Sequence, residues 1–158
     1  MTQTTTEPGL IPFESIPIGQ VRSFGAYEVT KEEIIEFASK YDAQFFHLDE
    51  EAAKDSLFGG LCASGWHTCA MTMAMLVEDM KSRGKSLGSP GIDQLRWKHP
   101  VFPGDILSVR MEVIDKIEPK SRSDIGFVVS KTTVSTQTGT EVMEFISKGI
   151  FPKTGGAS

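Results

Sequence analysis

One stretch constrains the fold more than any other: "GWHTCAMTMAMLVEDMKSR", residues 65–83. Its first two-thirds are apolar almost all round, with Met71, Met73, Met75, Leu76 and Val77 on several faces of a helix. A helix of that kind is expected to be buried, not laid on a surface by one stripe. Lys81 and Arg83 suit its last turn, where the helix dipole is negative. Four strand patterns follow, at 92–98, 105–116, 125–137 and 141–151. In the second, Leu107, Val109, Met111 and Val113 alternate with Ser108, Arg110 and Glu112. "TQTGTE" joins the last two as a hairpin-like turn, and "HPVFPGD" (99–105) separates the first two. Consecutive strands with short turns pair antiparallel. One apolar helix followed by such strands predicts an α+β fold, an antiparallel sheet rolled around a central helix.

Upstream, "GQVRSFGAYEVT" (19–30) reads as a first strand. Thr30 with Glu33 is a capping-box signature, and Ile34, Ile35, Phe37, Ala38 and Tyr41 supply the apolar stripe of a helix from about 31 to 40. "DEEAAKDS" (49–56) reads as a short helix with Asp49 as N-cap. Residues 1–9 and 153–158 are polar tails, which leaves 10–152 as a single domain. The 158 residues are enough to bury one core.

Charge excludes some functions. Lys and Arg total 16 against 21 Asp and Glu, a net charge of -5, and the basic residues are scattered. Nucleic-acid binding needs them clustered. No apolar run approaches the roughly 20 residues that span a bilayer. "MTQTTTEPGL" lacks the basic start and apolar core of a signal peptide, so a cytoplasmic location without membrane contact is expected. Cys62 and Cys69 are expected on one helix face as buried thiols of a reducing compartment.

Two segments carry chemistry. "YDAQFFHLD" (41–49) holds Asp42 and His47, a carboxylate and an imidazole suited to moving protons near neutral pH. Phe45 and Phe46 are placed to exclude water from them. The plainer reading is a helix-end cap and a packed loop histidine; the pair alone does not decide. "FGGLCASGWHT" (58–68) sets Gly59, Gly60 and Gly65 before the apolar helix. Unpaired N–H groups at that helix start, at its positive end, can hold a carbonyl oxygen gaining negative charge. A tight turn with Ser64 as N-cap is the alternative. Ser64 with His67 does not make a nucleophile elbow, and histidines at 47, 67 and 99 match no metal-ligand spacing. Arg96 and Lys98 near a strand end are either phosphate contacts or solvated charges.

Together, "YDAQFFHLDEEAAKDSLFGGLCASGWHT" and "HPVFPGD" resemble the MaoC-like dehydratases, the family of (R)-specific enoyl-CoA hydratases. The likeness spans about residues 12–152. Asp42, His47 and Asp49 match the hydratase motif, and Phe58, Gly59, Gly60 and Gly65 match the turn that opens the central helix. The resemblance implies a hotdog fold and reversible addition of water to a 2-enoyl-CoA. It makes Asp42 and His47 the acid–base pair and the Gly65 N–H the thioester-carbonyl donor, with Phe46, Gly60, Ser64, Trp66 and Arg96 in contact with substrate. It implies a homodimer and no metal or redox cofactor beyond the CoA thioester itself. The chain departs from the family pattern in three places. Gln44 stands where an Asn–Pro step is usual, Ser64 precedes Gly65 in place of His, and Met73 sits where some hydratases carry a serine.

Two other functions compete. A hotdog thioesterase usually carries a carboxylate in or near the central helix, and none occurs from Phe58 to Val77. A non-catalytic acyl-thioester-binding subunit would not need Asp42, His47 and Gly65 together.

Overall fold

Thr30 shows how this sequence starts an element. Its backbone is extended, and its hydroxyl accepts the Glu33 N–H at 3.2 Å, opening helix α1 (Lys31–Tyr41). Only half of the capping box forms. The Glu33 carboxylate turns away and accepts hydrogen bonds from Tyr27 Oη and His67 Nε2 instead.

The computed structural model describes residues 8–154. The tails expected at 1–9 and 153–158 lie mostly outside the described residues. Where they overlap, Gly9 O accepts from Lys85 N and Lys153 N donates to Asp124 O. Strand β1 (Val21–Glu28) precedes α1. Helices α2 (Phe45–Leu48), α3 (Glu50–Ala53) and α4 (Gly65–Arg83) follow it. Strands β2 (Ile92–Trp97), β3 (Ile106–Ile117), β4 (Ile125–Ser135) and β5 (Glu141–Pro152) complete the chain. The five strands form one antiparallel sheet in the order β1-β3-β4-β5-β2.

The sheet wraps α4, the hotdog arrangement. Met71 and Met75 of α4 pack with Ile34 of α1 and with Leu107, Val109, Val134, Val142 and Met143 of the sheet. Each such burial removes apolar surface from water, about 1.5–3 kcal/mol per large side chain. A smaller cluster of Phe13, Ile16, Val113 and Val128 closes another part of the sheet. Among the described residues no helix is long and apolar enough to cross a membrane.

Two expectations need correction. α4 is not buried all round. Its His67, Thr68, Met71, Thr72 and Met75 are covered, but Trp66, Met73 and Val77 are 59%, 57% and 48% exposed along another face. A single five-stranded sheet covers only one side of the helix it wraps. Cys62 and Cys69 do not share a helix face either. Cys62 precedes α4, Cys69 lies within it, and both are free thiols.

β1 must come close to α4, and its sequence permits it at one point. The β1–β3 register shifts between Phe24 and Tyr27, where Gly25 has φ +89°. A Cβ on Gly25 would lie 2.4 Å from Met75 Sδ. Gly25→Ala is therefore expected to lose about 1–3 kcal/mol of stability in urea denaturation, through backbone strain and displaced Met75. An unchanged unfolding midpoint would contradict this packing.

Candidate active site

α1 ends at Tyr41, and Asp42 is its C-cap, with N–H bonded to Ala38 O. A carboxylate is disfavoured there, because a helix C-terminus carries the negative end of the dipole. Specific partners hold it. Ser64 Oγ donates to Oδ2 at 2.7 Å, and Gln44 Nε2 donates to Oδ1 at 2.6 Å. Burial pushes the Asp42 carboxyl upward, but these two bonds and the nearby His47 outweigh it and hold the group below the ordinary carboxylate range. Asp42 is thus ionised at neutral pH.

His47 sits on α2, a single turn, and is 5% exposed. Its Nδ1 lies 2.6 Å from Cys62 O. A carbonyl only accepts, so Nδ1 carries a proton, and whenever the imidazole is in its neutral form Nε2 presents its lone pair. That atom is 3.4 Å from Asp42 Oδ2. Two acceptors face each other at a separation that one water, donating to both, can bridge. Phe46 meets the imidazole edge-on at 4.5 Å and Phe58 covers Phe46 at 5.1 Å. The Cys62 thiol is 3.8 Å from Nδ1; burial, then the charge of Asp42, pushes it up to about 11. It stays protonated and is no nucleophile at neutral pH.

α4 begins beside this pair. Ser64 occupies the N-cap position, yet its side chain makes no cap bond; its hydroxyl is turned to Asp42, to which it donates. The N–H groups of the first turn, Gly65 among them, have no acceptor within the helix. Gly65 lines a cleft of ≈650 Å³ together with Asp42, His47, Phe46, Trp66 and Trp97. "HPVFPGD" holds the cleft's framework. Val101 O accepts from Ala63 N, just before α4, while Gly104 N and Asp105 O bond Val29, just before α1.

The structure therefore brings Asp42, His47, Gly65, Phe46 and Trp66 to one cleft. The other three expected residues lie outside that lining. Ser64 is 0% exposed and lies beneath the cleft as a support for Asp42. Gly60 faces Phe102 outside the lining, and Arg96 stands exposed on the edge strand β2, also outside it. Sequence reading missed Trp97, the Cys62 carbonyl that sets the His47 tautomer, and a brace formed by Tyr27, Glu33 and His67. In that brace Phe37 stacks on His67 at 4.6 Å, and burial, then Glu33, pushes the Tyr27 hydroxyl up to about 12.

With this geometry the relationships to known proteins fall into place. Residues 13–137 match the family described as "MaoC like domain". An uncharacterized protein of Bacillus subtilis (strain 168), YdeM, is 30% identical over 131 residues, 83% of this chain and 92% of that protein. The crystal structure of the MaoC-like dehydratase from Rhodospirillum rubrum superposes with a TM-score of 0.79 at 36% identity, covering 90% of this chain and 97% of that one. R-hydratase PhaJ1 from Pseudomonas aeruginosa shares the fold at TM-score 0.69 and 23% identity, over 94% and 90% of the two chains. The chain belongs to the MaoC-like dehydratase family of hotdog-fold proteins.

Ser64→Ala is expected to raise the Asp42 pKa towards its ordinary value of 3.8, read by NMR titration of the carboxyl carbon. Because the folded value is depressed, Asp42 stabilises the fold above 3.8, and that contribution is lost as the pH falls through the folded value. The stability advantage over Asp42→Asn should shrink across the same descent. A Ser64→Ala protein with an unmoved Asp42 would contradict the support assigned to the hydroxyl.

Proposed function

We propose that this protein hydrates 2-enoyl-CoA thioesters, and in reverse dehydrates 3-hydroxyacyl-CoA, with Asp42 and His47 as the acid–base pair. The observation that carries the reading is the 3.4 Å approach of His47 Nε2 to ionised Asp42 Oδ2, two acceptors with a fixed tautomer behind them. A water donating to both has its oxygen lone pairs free for the substrate. Its oxygen bonds to the β-carbon while one of its protons ends on the α-carbon, so the elements of water add across the double bond. The thioester carbonyl oxygen gains charge during this step. The Gly65 N–H, at the positive end of α4, then donates to that oxygen and stabilises an enolate-like transition state. Family membership and the hydratases among the fold's neighbours support the same chemistry.

The thioesterase reading lacks a comparable group. Asp42 is the carboxylate lining the cleft, and it faces an imidazole. Free CoA thiol released from saturated acyl-CoA would favour that reading instead.

The protein's partner in this account is a second copy of itself. Trp66, Met73 and Val77 form an apolar stripe along α4, and β2 leaves an unpaired sheet edge beside it. A two-fold arrangement would cover both at once. Sedimentation is expected to give a dimer, and Val77→Glu, which puts a charge in the stripe, a monomer. A wild-type monomer at micromolar concentration would contradict this arrangement.

The catalytic assignment is tested by following loss of the conjugated thioester absorbance with crotonyl-CoA. Wild-type protein should hydrate it. Asp42→Asn and His47→Ala should each lower kcat about 10²–10⁴-fold, the contribution of a positioned proton-transfer group. Unchanged kcat in both variants would remove them from the mechanism.

A further inference from the structure

We infer that Trp97 sets the size of the acyl group and restricts the cleft to short-chain thioesters; this rests on the hydratase reading above. Trp97 ends β2 and lies opposite Met143 of β5 in the sheet. Its indole is pressed against the first residue of α4. A Cβ on Gly65 would lie 2.4 Å from Trp97 Cε2 and 2.5 Å from Cδ2. The ring thus fills the space that any side chain at position 65 would take, directly beside the N–H assigned to the thioester carbonyl.

Two more contacts lie around the ring. The Cys69 thiol, one turn along α4, donates to Met143 Sδ at 3.6 Å, and Met143 is the residue opposite Trp97 in the sheet. Trp66 meets the indole edge-on at 5.2 Å. The indole is held against two residues of α4, Gly65 and Trp66, and is not a loose surface side chain, although it is 47% exposed.

A thioester with its carbonyl at Gly65 and its double bond at the Asp42–His47 water must send its acyl tail past the first turns of α4. Trp97, Thr68 and Val142 all line the cleft. On this inference the Trp97 ring, beside Gly65, stands across that route. Small acyl groups end short of the ring. Longer ones meet an aromatic surface that cannot shift without breaking its contacts with Gly65 and Trp66.

The test compares crotonyl-CoA with trans-2-octenoyl-CoA in wild type, Trp97→Phe and Trp97→Ala. The octenoyl-to-crotonyl ratio of kcat/KM should rise at least about tenfold in Trp97→Ala, since accommodating even one methylene in an apolar pocket is worth about that much. Trp97→Phe should fall between. A gain on the longer substrate cannot come from misfolding, and an unchanged or lower ratio overturns the assignment. Binding gives a second readout independent of turnover. Trp66 and Trp97 are the chain's two tryptophans, so in Trp97→Ala the fluorescence of Trp66 alone reports the cleft. Preference for octanoyl-CoA over butyryl-CoA should increase relative to wild type; equal preference overturns the assignment. Should wild type hydrate no enoyl-CoA while this binding shift occurs, the hydration reading fails and the size limit stands. Should wild type hydrate crotonyl-CoA while neither ratio moves, the role of Trp97 fails alone.

Discussion

The hydrogen bond from Ser64 Oγ to Asp42 Oδ2 ties the end of α1 to the start of α4, and the site depends on that tie. It does two things with one hydroxyl. It offsets the cost of a carboxylate at the negative end of α1 and helps hold the Asp42 carboxyl below the ordinary carboxylate range. It also leaves the N-terminus of α4 without a side-chain cap, so the backbone donors there are free to meet a ligand. A serine acting as an ordinary N-cap would give up both effects. The Pro–Gly segment before β3 reinforces the tie from behind, since its backbone bonds reach the residues just ahead of α1 and just ahead of α4.

Much of the fold is legible in the sequence. α1, α4 and β3 to β5 have patterns long enough for periodicity to show, and the structure follows them within a few residues. α2 is not legible. Four residues, "FFHL", carry no period, and the turn forms because His47 Nδ1 and the Phe46 carbonyl both find partners on Cys62, 15 and 16 positions away. The exposed face of α4 is hidden from the sequence for a related reason. Composition shows that a helix is apolar all round, but not which side its own chain covers.

The candidate site divides in the same way. Asp42, His47 and Gly65 stand in segments whose residue types suggest their chemistry, and the fold brings them to one cleft. Ser64 looks like a cap because local spacing cannot reveal a bond to a residue 22 positions upstream. Trp97 looks like an ordinary strand residue until its ring is seen against a glycine 32 positions before it. Arg96, its neighbour, is exposed on the edge strand and is not among the residues lining the cleft. Local rules are broken at Asp42 and Ser64, a helix-end carboxylate and an unused cap, and those breaks mark the site.

The central claim is that Asp42 and His47 act together on one water. The direct measurement is a double-mutant cycle on kcat for crotonyl-CoA hydration, using Asp42→Asn, His47→Ala and the double variant. Groups that work as a unit are strongly non-additive. The account predicts that the double variant is about as slow as the slower single variant. A double variant slowed by the product of the two single losses would show the residues acting independently and would contradict the shared water.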